Sequence, residues 1–356
     1  MTDAPLPVRR RKRGKTLGPA TIHDVSAATG VSVRTVSRVL NDSPKVNAET
    51  RARVKEAIRT LNFVPNLRAR ALASNRSYLL GLVHDDPNAE IVDQFQKGVF
   101  RECAPHDYEL LVHPCNYTSE DLIDNVLSFV RRSRIDGAIV IAPVSENEAL
   151  AKALWTNGTP TAGVASVALE SYGLIVVSRE REASAEVGEL FVSLGHREIG
   201  FISGPRVQRS ATERETGFVL GLRKHGLSVR PENMCEGEYS FESGVACAKK
   251  ILASKRRPTA IYASNDRMAA GVLKVAAEMG LRVPKDLSVV GFDDSYLASV
   301  LTPSLTTIHR PMTEMGARAA QWVLQAGDPR QASAEESLLR FFDLQLVIRE
   351  STGPAP

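Results

Sequence analysis

Residues 21–40 read TIHDVSAATGVSVRTVSRVL, and the periodicity of this stretch decides what the first part of the chain is. Ile22, Val25 and Ala28 recur every three residues, which gives a first helix one apolar face. Gly30 interrupts the pattern where the backbone must turn tightly. Ser32 is placed to cap a second helix beginning at Val33. At 100° per residue, Val36, Val39 and Leu40 fall on one side of that helix, and Arg34, Ser37 and Arg38 on the other. A helix that enters a major groove needs an apolar back and a front of donors that reach base edges. An ordinary amphipathic helix with a solvated basic face shows the same pattern, so the segments that follow carry the decision.

Asn47 is placed to cap a third helix, AETRARVKEAIRTL, with a buried stripe of Val54, Ala57, Ile58 and Leu61. Pro65 stops it, and Asn66 caps a short segment, LRARALA. Two turns of helix do not recover their ordering cost alone, so this segment is expected to fold only with a partner. The string VSVRTVSRVLN, the third helix and the Pro-Asn segment together resemble the DNA-binding head of the lactose/galactose repressor family (LacI/GalR), without a gap from residue 21 to about 77. The resemblance implies a reader of double-stranded DNA. Val33 and Arg34 then select half-site bases, and Arg38 suits a bidentate contact with guanine. Ser32, Thr35, Ser37 and Asn41 are placed for phosphates, with Thr21 in the same interface. Arg68 favours phosphate, and Leu72 matches the leucine that in this family wedges into the minor groove at the operator centre.

Charge agrees with this division. Residues 1–76 hold 16 Lys/Arg against 5 Asp/Glu, a net +11, while the rest of the chain carries −7, giving +4 overall. A basic head on an acidic body points to a polyanion at one end only. The run RRRKRGK at 9–15 is expected to be a disordered arm along phosphates. The four cysteines form no CxxC pair, so reduced, packed thiols are expected, with no metal and no cofactor. No apolar stretch follows the basic start, as a signal peptide would require, and none reaches the length of a membrane span. The expected location is the cytoplasm, in association with the nucleoid.

From residue 78 the pattern changes. Short apolar runs (YLLGLV, YELLVH, GAIVIAP, LIVVS, EIGFISGP, AIYAS, SVVGFDD) alternate with helical segments. Such alternation implies parallel sheets covered on both faces, and the number of units implies two lobes. GFISGP, ERETGF, ASNDRMAAGVL, LRVPKDLSVVGFDD and PSLTTIHRP resemble the periplasmic-binding-protein-like body of the same family. The expected fold is an α/β body of two parallel-sheet lobes with a small all-α helix-turn-helix head and a hinge helix. The expected divisions are an arm at 1–19, the head at 20–64 and a hinge at 65–77. A first lobe takes 78–177 plus about 310–330, a second takes 178–309 plus about 338–348, and 349–356 is a tail.

Ligands of open α/β sheets bind at the carboxyl ends of strands. Asp85, Asn265 and Asp293 lie at or just beyond such ends, and Arg214 lies early in the helix after GFISGP. Carboxylate, amide and guanidinium together form a hydrogen-bonding set for vicinal hydroxyls. The resemblance implies that Arg214 and Asp293 grip the effector, with Asn265 at the cleft mouth and Tyr239 as an aromatic stacking position. Capping a turn or helix is the plainer role for Asp293 and Asn265. Two departures stand out. The first cleft loop reads DDPNAEIVDQF, where the family carries Asn-Pro and aromatics. LIVVS is followed by Arg179, where many members carry an acid.

These observations predict a homodimeric, sequence-specific transcription regulator, most simply a repressor of sugar-utilisation genes on a near-palindromic operator, released by a saccharide-like effector. An activator or corepressor-dependent regulator shares every motif. A sugar- or nucleotide-binding protein, or an enzyme, on the same body would not need the head, and no GxGxxG, P-loop, HExxH or GxSxG is present.

Overall fold

The structure is a computed structural model, and it describes residues 20–40, 43–63, 76–85, 88–326 and 338–356. Asn41, Arg68, Leu72, the basic arm and the hinge segment lie outside the described residues. Contacts divide the chain into a unit ending at Ser77 and a unit from Tyr78 onward.

The first unit holds helices α1 (Ile22–Thr29), α2 (Val33–Leu40) and α3 (Ala48–Thr60). Their core is Val25, Val36, Val39, Val54 and Phe63. A capping box starts α1: Asp24 N–H donates to Thr21 Oγ1, and Thr21 N–H donates to the Asp24 carboxylate at 2.8 Å. Gly30 ends the helix in the left-handed region at φ 68°, where a side chain would be strained. One face differs from expectation. Ala28 is exposed, and Thr29 takes the inner position with its hydroxyl donating to Val25 O at 2.7 Å. The face thus follows the four-residue spacing from Val25, and a satisfied hydroxyl is tolerated inside.

In the second unit the chain runs β1 (Leu79–His84), α4 (Ala89–Cys103), β2 (Glu109–Pro114), α5 (Leu122–Ser133), β3 (Gly137–Ile141), α6 (Glu148–Thr156), β4 (Thr161–Ala165) and β5 (Leu174–Ser178). It continues through α7 (Glu180–Ser193), β6 (Ile199–Ser203), α8 (Arg209–Arg223), β7 (Met234–Glu236), α9 (Phe241–Leu252), β8 (Ala260–Ala263), α10 (Asp266–Glu278), β9 (Ser288–Val290) and α11 (Tyr296–Val300). Last come β10 (Thr307–His309), α12 (Met312–Ala326), β11 (Leu338–Phe342) and β12 (Gln345–Val347). Two parallel sheets result, ordered β11-β5-β4-β3-β1-β2 and β7-β6-β8-β9, beside an antiparallel pair β10-β12. The inner strands are buried from end to end, as strands covered by helices on both faces must be.

The end of the chain departs from expectation twice. The stretch 338–348 was assigned to the second lobe, but β11 pairs in parallel with β5 in the first sheet. Leu338 and Phe342 pack on the first lobe's core, whereas Leu344 and Leu346 pack on the second's. The chain therefore crosses between lobes inside this stretch. The expected tail is also built in. Ser351 is buried and exchanges hydrogen bonds with Val289, and Gly353 meets Ser288 and His196. These bonds satisfy the open side of β9, whose backbone groups would otherwise be buried without partners.

Candidate functional site

The DNA-facing candidates sit on α2 and at the ends of α1. Val36 and Val39 are fully inside, while Arg34 is exposed and Arg38 half-buried. Among the described residues no carboxylate pairs with either guanidinium, so both remain available for a polyanion. Ser32 caps α2, accepting from Thr35 N–H at 3.2 Å, and its hydroxyl lies 2.9 Å from that of Thr35. Thr21 is committed to its own cap. Val33, Thr35 and Ser37 are only partly covered.

The cleft candidates converge at the carboxyl ends of the strands of both lobes. Asp85, Arg214, Tyr239, Asn265 and Asp293 all line one narrow cavity of about 70 Å³ that opens to solvent. At its floor lies a four-charge network. Arg214 Nε donates to Glu180 Oε2 at 2.7 Å, and Arg310 Nη1 donates to Asp293 Oδ1 at 3.2 Å. Cross pairs close it, Arg214 to Asp293 at 4.0 Å and Arg310 to Glu180 at 3.5 Å. The Arg214 guanidinium also lies over the Phe292 ring at 3.7 Å and donates to Ser264 O. Burial alone raises the Glu180 carboxyl, but the two guanidinium groups outweigh it and hold its pKa below the ordinary value. Burial likewise opposes the charge on Arg214, and Glu180 reverses this. Glu180 and Arg214 are thus held in their charged forms, and the Arg310–Asp293 pair closes the network beside them.

Local structure explains each placement. Asp293 adopts φ 111° just beyond β9, a strained conformation that turns its carboxylate toward Arg310. Asn265 caps α10, accepting from Met268 N–H at 2.9 Å, while its amide donates to Tyr239 O at 3.0 Å. Its capping role is therefore built, and it borders the cavity as well. Tyr239 sits at φ 56° with its ring 5.7 Å from the Arg214 guanidinium. A Cβ at Gly204 would lie 2.1 Å from that ring, so only glycine leaves room for this wall. Asp85 accepts from Tyr117 N–H at 2.8 Å.

Sequence reasoning missed Glu180 and Arg310. The acid sought at residue 179 is supplied one position later, from the first turn of α7. Arg179 itself turns away to Asp343 and the Phe341 ring. Arg310 stood in the quoted PSLTTIHRP, but nothing in that loop's spacing marks it as buried. Its Nε is buried and has no hydrogen-bond partner among the described residues, although the residue borders the cavity. Among the described residues no cluster of His, Cys, Asp and Glu could hold a metal ion.

Glu146 lies behind the cavity and accepts from Ser166 N–H at 3.2 Å. Burial pushes its carboxyl up to about 7. The folded protein thus holds a proton that the unfolded chain releases near pH 4. This stabilisation is complete below the unfolded pKa and is lost as pH rises toward 7. Glu146→Gln should therefore be more stable than the parent by roughly 2–3 kcal/mol at pH 8, with little difference at pH 4. Urea unfolding across this range checks it, and parallel stability curves would refute it.

The chain was compared with known proteins. Residues 21–66 match the model for bacterial regulatory proteins of the lacI family, and residues 189–352 match a periplasmic binding protein-like domain. Over 95% of its length the chain is 33% identical to the HTH-type transcriptional repressor PurR of Pectobacterium carotovorum subsp. carotovorum (strain PC1), covering 98% of that protein. It is 30% identical to the probable HTH-type transcriptional repressor ExuR of Bacillus subtilis (strain 168), over 93% of this chain and 98% of that one. A solved lac repressor dimer, bound to operator and the anti-inducer ONPF, superposes with a TM-score of 0.78 at 27% identity, over 94% of this chain and 100% of that one.

Proposed function

The chain belongs to the lacI family of bacterial regulatory proteins, and from that premise we propose that its head reads a near-palindromic operator while its cleft takes a neutral, polyhydroxylated effector that releases it. It is a transcriptional repressor and not an enzyme. It acts as a dimer, so two copies of α2 address two half-sites related by a two-fold axis. Its place of work is the cytoplasm, on the nucleoid, where operator DNA lies; no described helix is long and apolar enough to cross a membrane.

One observation carries the reading of the head, the division of α2 into a closed apolar back and a face with two uncommitted guanidinium groups. Arg38 reads guanine, Val33 and Arg34 set the neighbouring bases, and Ser32, Thr35, Ser37 and Asn41 anchor phosphates, with Thr21 beside them. Arg68 is assigned to phosphate and Leu72 to the minor-groove wedge.

The charge balance of the cleft supports the choice of effector. Arg214 and Arg310 are matched by Glu180 and Asp293, so a charged ligand would have to break a buried network, at several kcal/mol. What the cleft offers instead is hydroxyl chemistry: the Ser210 hydroxyl beside Tyr239, and the Asp85 and Asp293 oxygens. Selection of duplexes from a random pool by the full chain tests the operator reading. The expected product is a near-palindrome, and a pool that stays random after repeated rounds would reject it.

A further inference from the structure

The four thiols expected to be alike fall into two pairs. Cys103 and Cys115 are separate, and burial raises both, to about 12 and about 11, which keeps them protonated and inert. Cys235 and Cys247 instead form a disulfide with 5.6 Å between Cα atoms, which corrects the expectation of four reduced thiols. In a protein that works on DNA inside a reducing cell, such a bond is characteristically reversible rather than structural.

Its position gives it consequences. Cys235 is half-buried on β7, a three-residue strand at the edge of its sheet, and Cys247 is buried in α9. Between them the chain makes the turn that carries Tyr239, the aromatic wall of the cleft. Three bonds hold the backbone of that turn: Gly237 N–H to Ser203 O at 2.9 Å, Glu238 N–H to Ser243 Oγ at 2.9 Å and the Asn265 amide to Tyr239 O at 3.0 Å. A short edge strand is where local opening costs least. A covalent tie from β7 to the middle of α9 suppresses that opening.

We propose that Cys235 and Cys247 form a reversible redox site whose oxidation fixes the Tyr239 turn against the cleft. The oxidant is a peroxide. The half-buried Cys235 thiolate attacks its O–O bond, giving a sulfenic acid and water. The Cys247 thiolate then attacks that sulfur, forming the S–S bond and releasing a second water. Two thiols lose two electrons and two protons while one peroxide is reduced to two waters. A dithiol reverses the change. Any effect on regulation rests on the cleft being the effector site; the thiol chemistry does not.

The test uses the full chain, reduced with dithiothreitol and then treated with stoichiometric hydrogen peroxide. Differential alkylation with mass spectrometry should find the 235–247 link, with Cys103 and Cys115 still thiols. Hydrogen exchange of amides 237–241 should slow by about threefold or more on oxidation and recover on reduction. Cys247→Ser, and independently Cys235→Ser, should remove the peroxide effect on exchange. Equal exchange rates in the two forms, or peroxide that oxidises Cys235 without linking it, would overturn the proposal. Neither readout involves DNA or effector, so failure here is distinct from failure of the regulator reading.

Discussion

Arg38→Ala leaves a protein that holds DNA through charge alone. The side chain projects from the side of α2 opposite Val36 and Val39, so truncating it opens no cavity in the head. A bidentate arginine–guanine contact is worth about 1–3 kcal/mol of discrimination. A dimer loses it at both half-sites, which weakens operator binding by about thirtyfold to twenty-thousandfold. Non-specific affinity depends on phosphate neutralisation, and Arg38 is assigned to bases, so the salt dependence on random duplex should barely move. Titrations on selected operator and on random duplex at several salt concentrations measure both. Equal losses on the two duplexes would place Arg38 on phosphate and remove it from base reading.

Asp293→Asn should give a repressor that holds its operator and ignores its effector. The substitution keeps shape and one acceptor oxygen but removes the charge that faces Arg310 and Arg214. Glu180 alone then opposes two buried guanidinium groups, and the cleft floor must rearrange or admit an anion. Breaking a buried charged pair costs about 3–5 kcal/mol, so thermal stability falls and effector affinity drops by two orders of magnitude or more. The head shares no residue with this network, so operator affinity without effector should stay within about threefold of the parent. Isothermal titration with the effector and operator titration together decide the matter. Normal release of operator by effector would place the site elsewhere.

Much of this account was legible in the sequence where the signal is local. The inner faces of α2 and α3 follow from spacing, and Gly30, Ser32 and Asn47 do what their chemistry predicts. The misses are non-local or chemically mute. Thr161–Ala165 was overlooked as a strand because TAGVA carries little of the branched, apolar run that marks one. Leu338–Phe342 was placed in the wrong lobe because strand partners are chosen by packing across the whole chain, not by neighbours in sequence. Glu180 carries no signal of its own in the sequence: it stands two residues after β5, in the first turn of α7, and only its pairing with Arg214 reveals it. Arg310 follows a short edge strand with no periodicity to betray its burial. Cys235 and Cys247 are separated by a strand, a turn and two helical turns, a spacing with no motif attached.

The central claim is that one chain couples a DNA-reading head to an effector cleft. Reciprocal titration tests it most directly: operator affinity with and without saturating effector, and effector affinity with and without operator. Coupling requires that the effector weaken operator binding by some factor, about 5–150, and that operator weaken effector binding by the same factor. An operator affinity unchanged by an effector that demonstrably occupies the cleft would contradict the account.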